Sequence, residues 1–226
     1  MSTKSNTMEN GKKITKHDLL TLFFRCFLLP ACYSMDRMQA PGFAYSMIPV
    51  LKKLYGDNKE KFSQALSRHS EVYNNTFACS PFVLGIAAAM EEEAAANEEF
   101  DVSSINAIKV SLMGPLSGIG DTFFWGIFRI LACALAVGFA KEGNILAPFV
   151  LLLFFNIPNF LTRWFGLFIG YRQGHSLLSE MQATGRVQLF THCAGIIGAM
   201  SIGCMIAMWV SISCPLQFTI AGSEIV

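Results

Sequence analysis

Two stretches of this chain, TFFWGIFRILACALAVGFA (residues 122–140) and NILAPFVLLLFFNIPNFLTRWFGLFIGY (residues 144–171), are hard to bury anywhere but in lipid. A bilayer core is spanned by about 20 apolar residues in a helix, and both stretches have that length. A third run, HCAGIIGAMSIGCMIAMWVSI (residues 192–212), repeats the pattern. The first is interrupted by Arg129, and the second holds Pro148 and Pro158. Prolines are tolerated in membrane helices when neighbours satisfy the freed backbone groups. Trp125, Trp164, Tyr171 and Trp209 are candidate interface anchors. Composition agrees: 15% of residues are charged, where soluble domains carry about a quarter. A soluble metabolic enzyme is therefore a poor fit. The formal net charge of +1 and aromatics not interleaved with basic residues give no nucleic-acid platform.

The segment just before the first run, Gly114-Pro115-Leu116-Ser117-Gly118-Ile119-Gly120-Asp121, is the candidate functional element. A phosphate loop needs Gly-x4-Gly-Lys-Ser/Thr, and here Asp121 stands where a cation is required. The dinucleotide fingerprint needs a third glycine where Phe123 stands. Two readings remain side by side. In one, non-helical backbone lines a substrate pathway at membrane depth, its free N–H and C=O groups serving polar cargo beside an intramembrane acid. In the other, the segment is a turn between helices with Asp121 as the N-cap of the second.

Ahead of it the chain is more polar. Residues 1–16 read as a mobile polar start without a signal-type apolar region. DLLTLFFRCFLL (residues 18–29) is too short to span, so it reads as an interfacial amphipathic helix or an ordinary packed one. Residues 60–73 read as a helix with Phe62, Leu66 and Val72 near one side and His69 at the surface. Pro81 to Met90 is a small-residue helix suited to close approach, followed by Glu91, Glu92 and Glu93 as a wet face. Ile105, Ile108 and Leu112 recur at helical spacing, with Asp101 or Ser103 as N-cap. The seven cysteines form no C-x-x-C pair, so neither a disulfide framework nor a metal site is expected. Asn74-Asn75-Thr76 matches a glycosylation sequon, which means little without a secreted context. Eleven of the 17 Lys and Arg precede residue 70, placing the N-terminal third on the cytoplasmic side.

DRMQAPGFAYSMIPVLKKLYGD (residues 36–57) and AAMEEEAA…INAIKVSLMGPLSGIGDTFFWG (residues 88–126), together with GNILAP (143–148) and FGLFIGYRQG (165–174), resemble the IID subunit family of the bacterial mannose-type (mannose/fructose/sorbose) sugar phosphotransferase systems. The resemblance is close over residues 12–180. It implies a mainly α, polytopic inner-membrane protein: a helical bundle with broken or re-entrant helices and an amphipathic N-terminal helix. Residues 17–226 would form one domain, with 17–100 as cytoplasmic or interfacial helices and 101–226 as the core. It further implies a IIC membrane partner, separate IIA and IIB phosphocarriers, a hexose substrate, an oligomer of IIC–IID pairs and elevator-like movement. No catalytic residue, cofactor or metal of its own is then expected, and His17, His69, His175 and His192 need carry no phosphate. Gly114, Pro115, Ser117, Gly118, Gly120 and Asp121 map to the substrate pathway. Arg37, Gln39 and Tyr45 map to the IIC contact or a cytoplasmic docking face. Two departures stand out: Pro41 replaces a more usual small aliphatic residue and is expected to kink its segment, and the C-terminal region reads as shortened. The latter raises a second possibility, a non-transporting scaffold or receptor descended from such a subunit.

Overall fold

The computed structural model describes residues 13–184, with side-chain surroundings for 13–174, and short pieces beyond them. Among the described residues seven α-helices follow in chain order: α1 (Lys16–Arg25), α2 (Ala40–Tyr55), α3 (Lys59–His69), α4 (Ser80–Ala96), α5 (Ser103–Gly120), α6 (Arg129–Lys141) and α7 (Ala147–Thr184). A 3-10 turn, Cys26–Cys32, follows α1, and a π-helical stretch, Asp121–Phe128, joins α5 to α6. Near the end, β1 (Phe218–Ile220) and β2 (Ser223–Ile225) pair antiparallel, Thr219 opposite Glu224. The third apolar run and Trp209 lie outside the described residues.

Helices α1 to α4 and the first half of α5 build a compact head. Thr15 opens α1 with a capping box, its N–H and hydroxyl donating to Asp18 Oδ2 at 2.7 and 2.6 Å. Leu19, Leu22 and Phe23 turn inward, and Phe23 meets Trp164 of α7 edge-on at 5.1 Å between ring centroids. Phe24 stays exposed on the opposite side. The inner face thus follows the packed-helix reading, and Trp164 sits in an aromatic cluster with Phe160 and Phe168. Pro41 lies in the first turn of α2, where a missing N–H costs no helical bond, so it starts the helix where a kink was expected. The periodicity of Ile105, Ile108 and Leu112 is borne out: all three are buried.

Helix α4 lies along α7 at very short range. A side chain at Gly85 would collide with the Leu167 carbonyl, and one at Gly170 with the Phe82 carbonyl. Small residues permit this approach, so van der Waals contact runs along both backbones.

Two polar expectations are overturned here. His69 is not a surface residue, and Glu91 is not on a wet face: both side chains are fully buried. Glu91 takes a bidentate pair from Arg68, Nε to Oε1 at 2.7 Å and Nη2 to Oε2 at 3.1 Å. His69 Nε2 lies 2.8 Å from Oε1, and the Tyr55 hydroxyl donates to Oε2 at 2.8 Å. Four donors therefore meet the four lone-pair sites of one carboxylate. Glu92 is half-buried, accepting from the Tyr171 hydroxyl at 2.5 Å and from the Ile14 N–H at 3.1 Å. Lys109 of α5 closes the cluster, donating to the Arg68 carbonyl at 3.2 Å with its ammonium 4.9 Å from the Phe43 ring centre. A charge buried this completely persists because it is matched group by group.

The cluster makes the head acid-sensitive. Burial holds the His69 imidazole below its ordinary value of 6.5, and its Nδ1 has no partner, which suits a neutral ring with a lone pair there. As pH falls through about 6.5 the unfolded chain takes a proton that the folded chain refuses, so stability declines. Burial works against the Glu91 charge, but the His69 hydrogen bond and Arg68 outweigh it and hold the carboxyl at about 2. Its contribution is present above about 4.3 and is lost as pH drops toward the folded value. The melting temperature in detergent should fall gently below about pH 6.5 and steeply below about pH 4.3. A flat profile between pH 7 and 4 would contradict this.

Candidate functional site

The glycine segment is not a loop. Residues 114–120 complete α5, and Asp121 continues the rod at φ −67° and ψ −41°. Neither the free-backbone pathway nor the N-cap reading survives in its original form, because Asp121 sits inside a continuous helical run. What departs from regularity is the hydrogen-bond register, which switches to π over Asp121–Phe128. Such wide turns are uncommon and concentrate at functional positions. Pro115 fits within α5, where it carries no N–H to donate.

The side chains of this rod meet a short extended stretch, Tyr73 to Thr76. The Thr76 hydroxyl donates to Asp121 Oδ1 at 2.6 Å and lies 3.3 Å from the Ser117 carbonyl. Ser117 Oγ donates to Asn75 Oδ1 at 3.2 Å, an oxygen that also accepts the Thr76 N–H at 2.8 Å. Gly120 is where Thr76 presses closest: a Cβ there would lie 2.6 Å from Thr76 Cβ. Gly118 and Gly120 are buried, Pro115, Ser117 and Asp121 half-buried, and Gly114 exposed with nothing near its missing Cβ.

Gln39 reaches the same place from the other signature. Residues 34–38 close a tight backbone pair, Ser34 and Met38 exchanging N–H···O bonds at 2.9 Å each way. Met38 is held at φ 55°, a left-handed conformation unusual for a side chain with a Cβ. The Gln39 N–H then donates to the Tyr73 carbonyl at 2.8 Å. Its side-chain amide donates to the Asn75 carbonyl at 2.7 Å and to Asn74 Oδ1 at 3.0 Å. Gln39 is 3% exposed, and its Oε1 has no hydrogen-bond partner. An unpaired buried acceptor is costly. Burial, with the Asp121 charge next, pushes the Cys79 thiol up to about 11, so Cys79 stays protonated.

The other two residues mapped to partner contact go elsewhere. Arg37 is exposed and donates to the Ser70 carbonyl at 3.2 Å. Tyr45 lies on the outer side of α2, where the Arg25 guanidinium sits 4.7 Å from its ring centre. Asn75 and Thr76 are the functional candidates that sequence reading passed over. In the sequence those residues stand out only as a sequon match. Among the described residues no group of His, Cys, Asp and Glu could hold a metal ion.

Residues 13–226 match the family of phosphotransferase-system mannose/fructose/sorbose IID components. The chain belongs to that family. It is 38% identical to the mannose-specific EIID component of Escherichia coli K12, over 91% of this chain and 72% of that protein. It is 39% identical to the sorbose-specific EIID component of Klebsiella pneumoniae, over 91% and 74%. With the fructose permease IID component of Bacillus subtilis it shares 36% identity over 92% and 75%. Among solved structures it resembles a chain of the cryo-EM structure of mannose transporter ManYZ with microcin E492. The TM-score there is 0.81 at 37% identity, covering 92% of this chain and 76% of the other. Among its described residues this IID chain has two helices long and apolar enough to cross a membrane, Ser103–Lys141 and Ala147–Gly174. Among the described residues α5, the π stretch and α6 run on without a gap.

Proposed function

We propose that this IID chain works with a IIC subunit to carry a hexose across the bacterial inner membrane, while IIA and IIB supply the phosphate. Three transport subunits that match it over nine-tenths of its length favour this reading over a non-transporting scaffold. In the assembled permease, IIC–IID pairs form the oligomer, both apolar helices span the bilayer, and the basic N-terminal third faces the cytoplasm.

The residues mapped to the pathway act through side chains. The buried Gln39 and Thr76 and the half-buried Ser117 and Asp121 form a polar row at the point where the head meets the apolar rod, and Gly120 lets the rod come close enough to share it. A sugar hydroxyl both donates and accepts. It would donate to the unpartnered Gln39 Oε1 or to the Asp121 carboxylate, displacing Thr76. The single observation behind this placement is the unpaired acceptor of Gln39, which Asn75 and Thr76 connect to an acid at the π turn.

Proteoliposomes holding the IIC and IID chains, supplied with IIA and IIB, should take up and phosphorylate hexoses across a sugar panel. Neither chain alone should do so. Asp121→Asn keeps an acceptor for Thr76 and removes the charge. Uptake should fall about tenfold, the factor corresponding to one lost charge-assisted hydrogen bond, while co-purification with IIC stays unchanged. Full uptake by Asp121→Asn and Gln39→Leu together would remove the row from the pathway.

A further inference from the structure

Among the described residues Met38 is the one non-glycine residue with a left-handed backbone, at φ 55°. That conformation is unfavourable for a residue with a Cβ, and a turn that had only to change direction would take glycine there without penalty. Backbone strain of this kind persists where the surroundings over-determine it, and it gathers at ligand-binding positions. The surroundings of Met38 do so. It exchanges N–H···O bonds with Ser34, and the turn is laid along Tyr73 by two more. In these the Gln39 N–H donates to the Tyr73 carbonyl at 2.8 Å, and the Tyr73 N–H to the Arg37 carbonyl at 3.5 Å.

The Met38 side chain is not what requires the turn. It is half-buried and stands outside the hydrophobic core, and its Sδ accepts from the hydroxyl of the exposed Tyr33 at 2.8 Å. What the turn delivers is the next residue. Gln39 occupies the N-cap of α2, yet its side chain makes no capping bond. Its Nε2 instead donates to the Asn75 carbonyl and to Asn74 Oδ1. A backbone carbonyl can only accept, so the orientation of the amide is settled: nitrogen toward Asn75, oxygen away from it. With both N–H groups tied, the direction of the unpartnered Oε1 is fixed as well. Moving residue 38 into the right-handed region would swing the Gln39 N–H off Tyr73 and its amide off Asn74 and Asn75.

We propose that Met38 is a positioning residue for the transported sugar: its left-handed backbone holds Gln39 so that Oε1 is aimed at a sugar hydroxyl. The inference deepens the permease reading above and rests on it.

The test measures uptake of mannose, fructose and sorbose by proteoliposomes holding IIC and full-length IID variants, with IIA and IIB supplied. Valine is a poor occupant of the left-handed region, whereas glycine and asparagine accept it. Met38→Val should raise KM about tenfold while the maximal rate stays within about threefold, the pattern of lost binding shared by ground and transition states. Met38→Gly and Met38→Asn should hold KM within about threefold of wild type. In a Gln39→Leu background Met38→Val should add less than about twofold, since both changes remove one and the same contact. A turn with a merely structural role would make Met38→Val equally harmful in both backgrounds, and that result overturns the inference. So does wild-type KM for Met38→Val where Gln39→Leu raises it. Wild-type KM for Gln39→Leu takes Gln39 off the sugar and overturns the inference, while the permease reading stands. A wild-type chain that takes up none of the three sugars overturns both. Should Met38→Val fail to assemble with IIC, Met38→Ala replaces it, losing only the Tyr33 contact. Its KM should rise about threefold with Gln39 present and not in the Gln39→Leu background; no rise, or an equal rise in both, overturns the inference.

Discussion

Glu91→Ala should cost about 3–5 kcal/mol of stability, enough to remove most of the folded chain from the membrane. The substitution takes away one carboxylate and leaves the Arg68 guanidinium, the His69 ring and the Tyr55 hydroxyl without their shared acceptor. Arg68 is half-buried and cannot reach water without disturbing the contact between α3 and α4. Glu91→Gln separates charge from shape. It keeps the size and one acceptor oxygen but presents an amide donor toward the Arg68 and Tyr55 donors, so most of the loss should remain. Arg68→Met with Glu91→Leu removes both charges together and should recover a large part of it, since a buried ion pair replaced by apolar groups of similar volume is often close to neutral. Denaturant unfolding in detergent, followed by tryptophan fluorescence, reads all three. Wild-type stability for Glu91→Ala would mean that the cluster is solvated in the native protein.

Gly170→Val should be comparably severe, by a different route. Its Cβ would overlap the Phe82 carbonyl, and at Gly85 the obstacle is the Leu167 carbonyl with the Tyr171 N–H just behind it. These are backbone atoms within helices, so no side-chain rotation clears them. The two helices must separate, and the contacts along the α4–α7 seam are lost with them. Overpacking of a good core costs about 1–3 kcal/mol, and a clash with backbone on a seam of this length belongs at or beyond the upper end. Gly138→Ala is the control: nothing lies within 4 Å of its missing Cβ, so the change should be neutral or slightly stabilising through helix propensity. The readout is the yield of monodisperse protein and its melting temperature. Equal behaviour of Gly170→Val and Gly138→Ala would show that α4 and α7 are not in contact in the membrane.

The sequence by itself determined the membrane character, the family and much of the helix inventory. Apolar length and hydrophobic spacing are local properties, written in consecutive residues, and Ile105, Ile108 and Leu112 lie where their period places them. The small-residue stretch from Pro81 to Met90 likewise became the face that meets α7. Only the tertiary structure decided the polar side chains. His69 and Glu91 lie 22 positions apart, and Glu91 reads as surface until Arg68 and Tyr55 are known to stand against it. Gln39 is joined to Asn75 across 36 positions and Thr76 to Asp121 across 45, so no local pattern could unite the two signatures. The glycine segment turned on the same distinction. Glycine and proline raise the cost of a helix without forbidding one, and in an apolar setting the backbone has few other ways to satisfy its N–H and C=O groups. Thr76 packed against Gly120 then made the absence of side chains useful for close approach, where the sequence alone had pointed to uncoiled backbone.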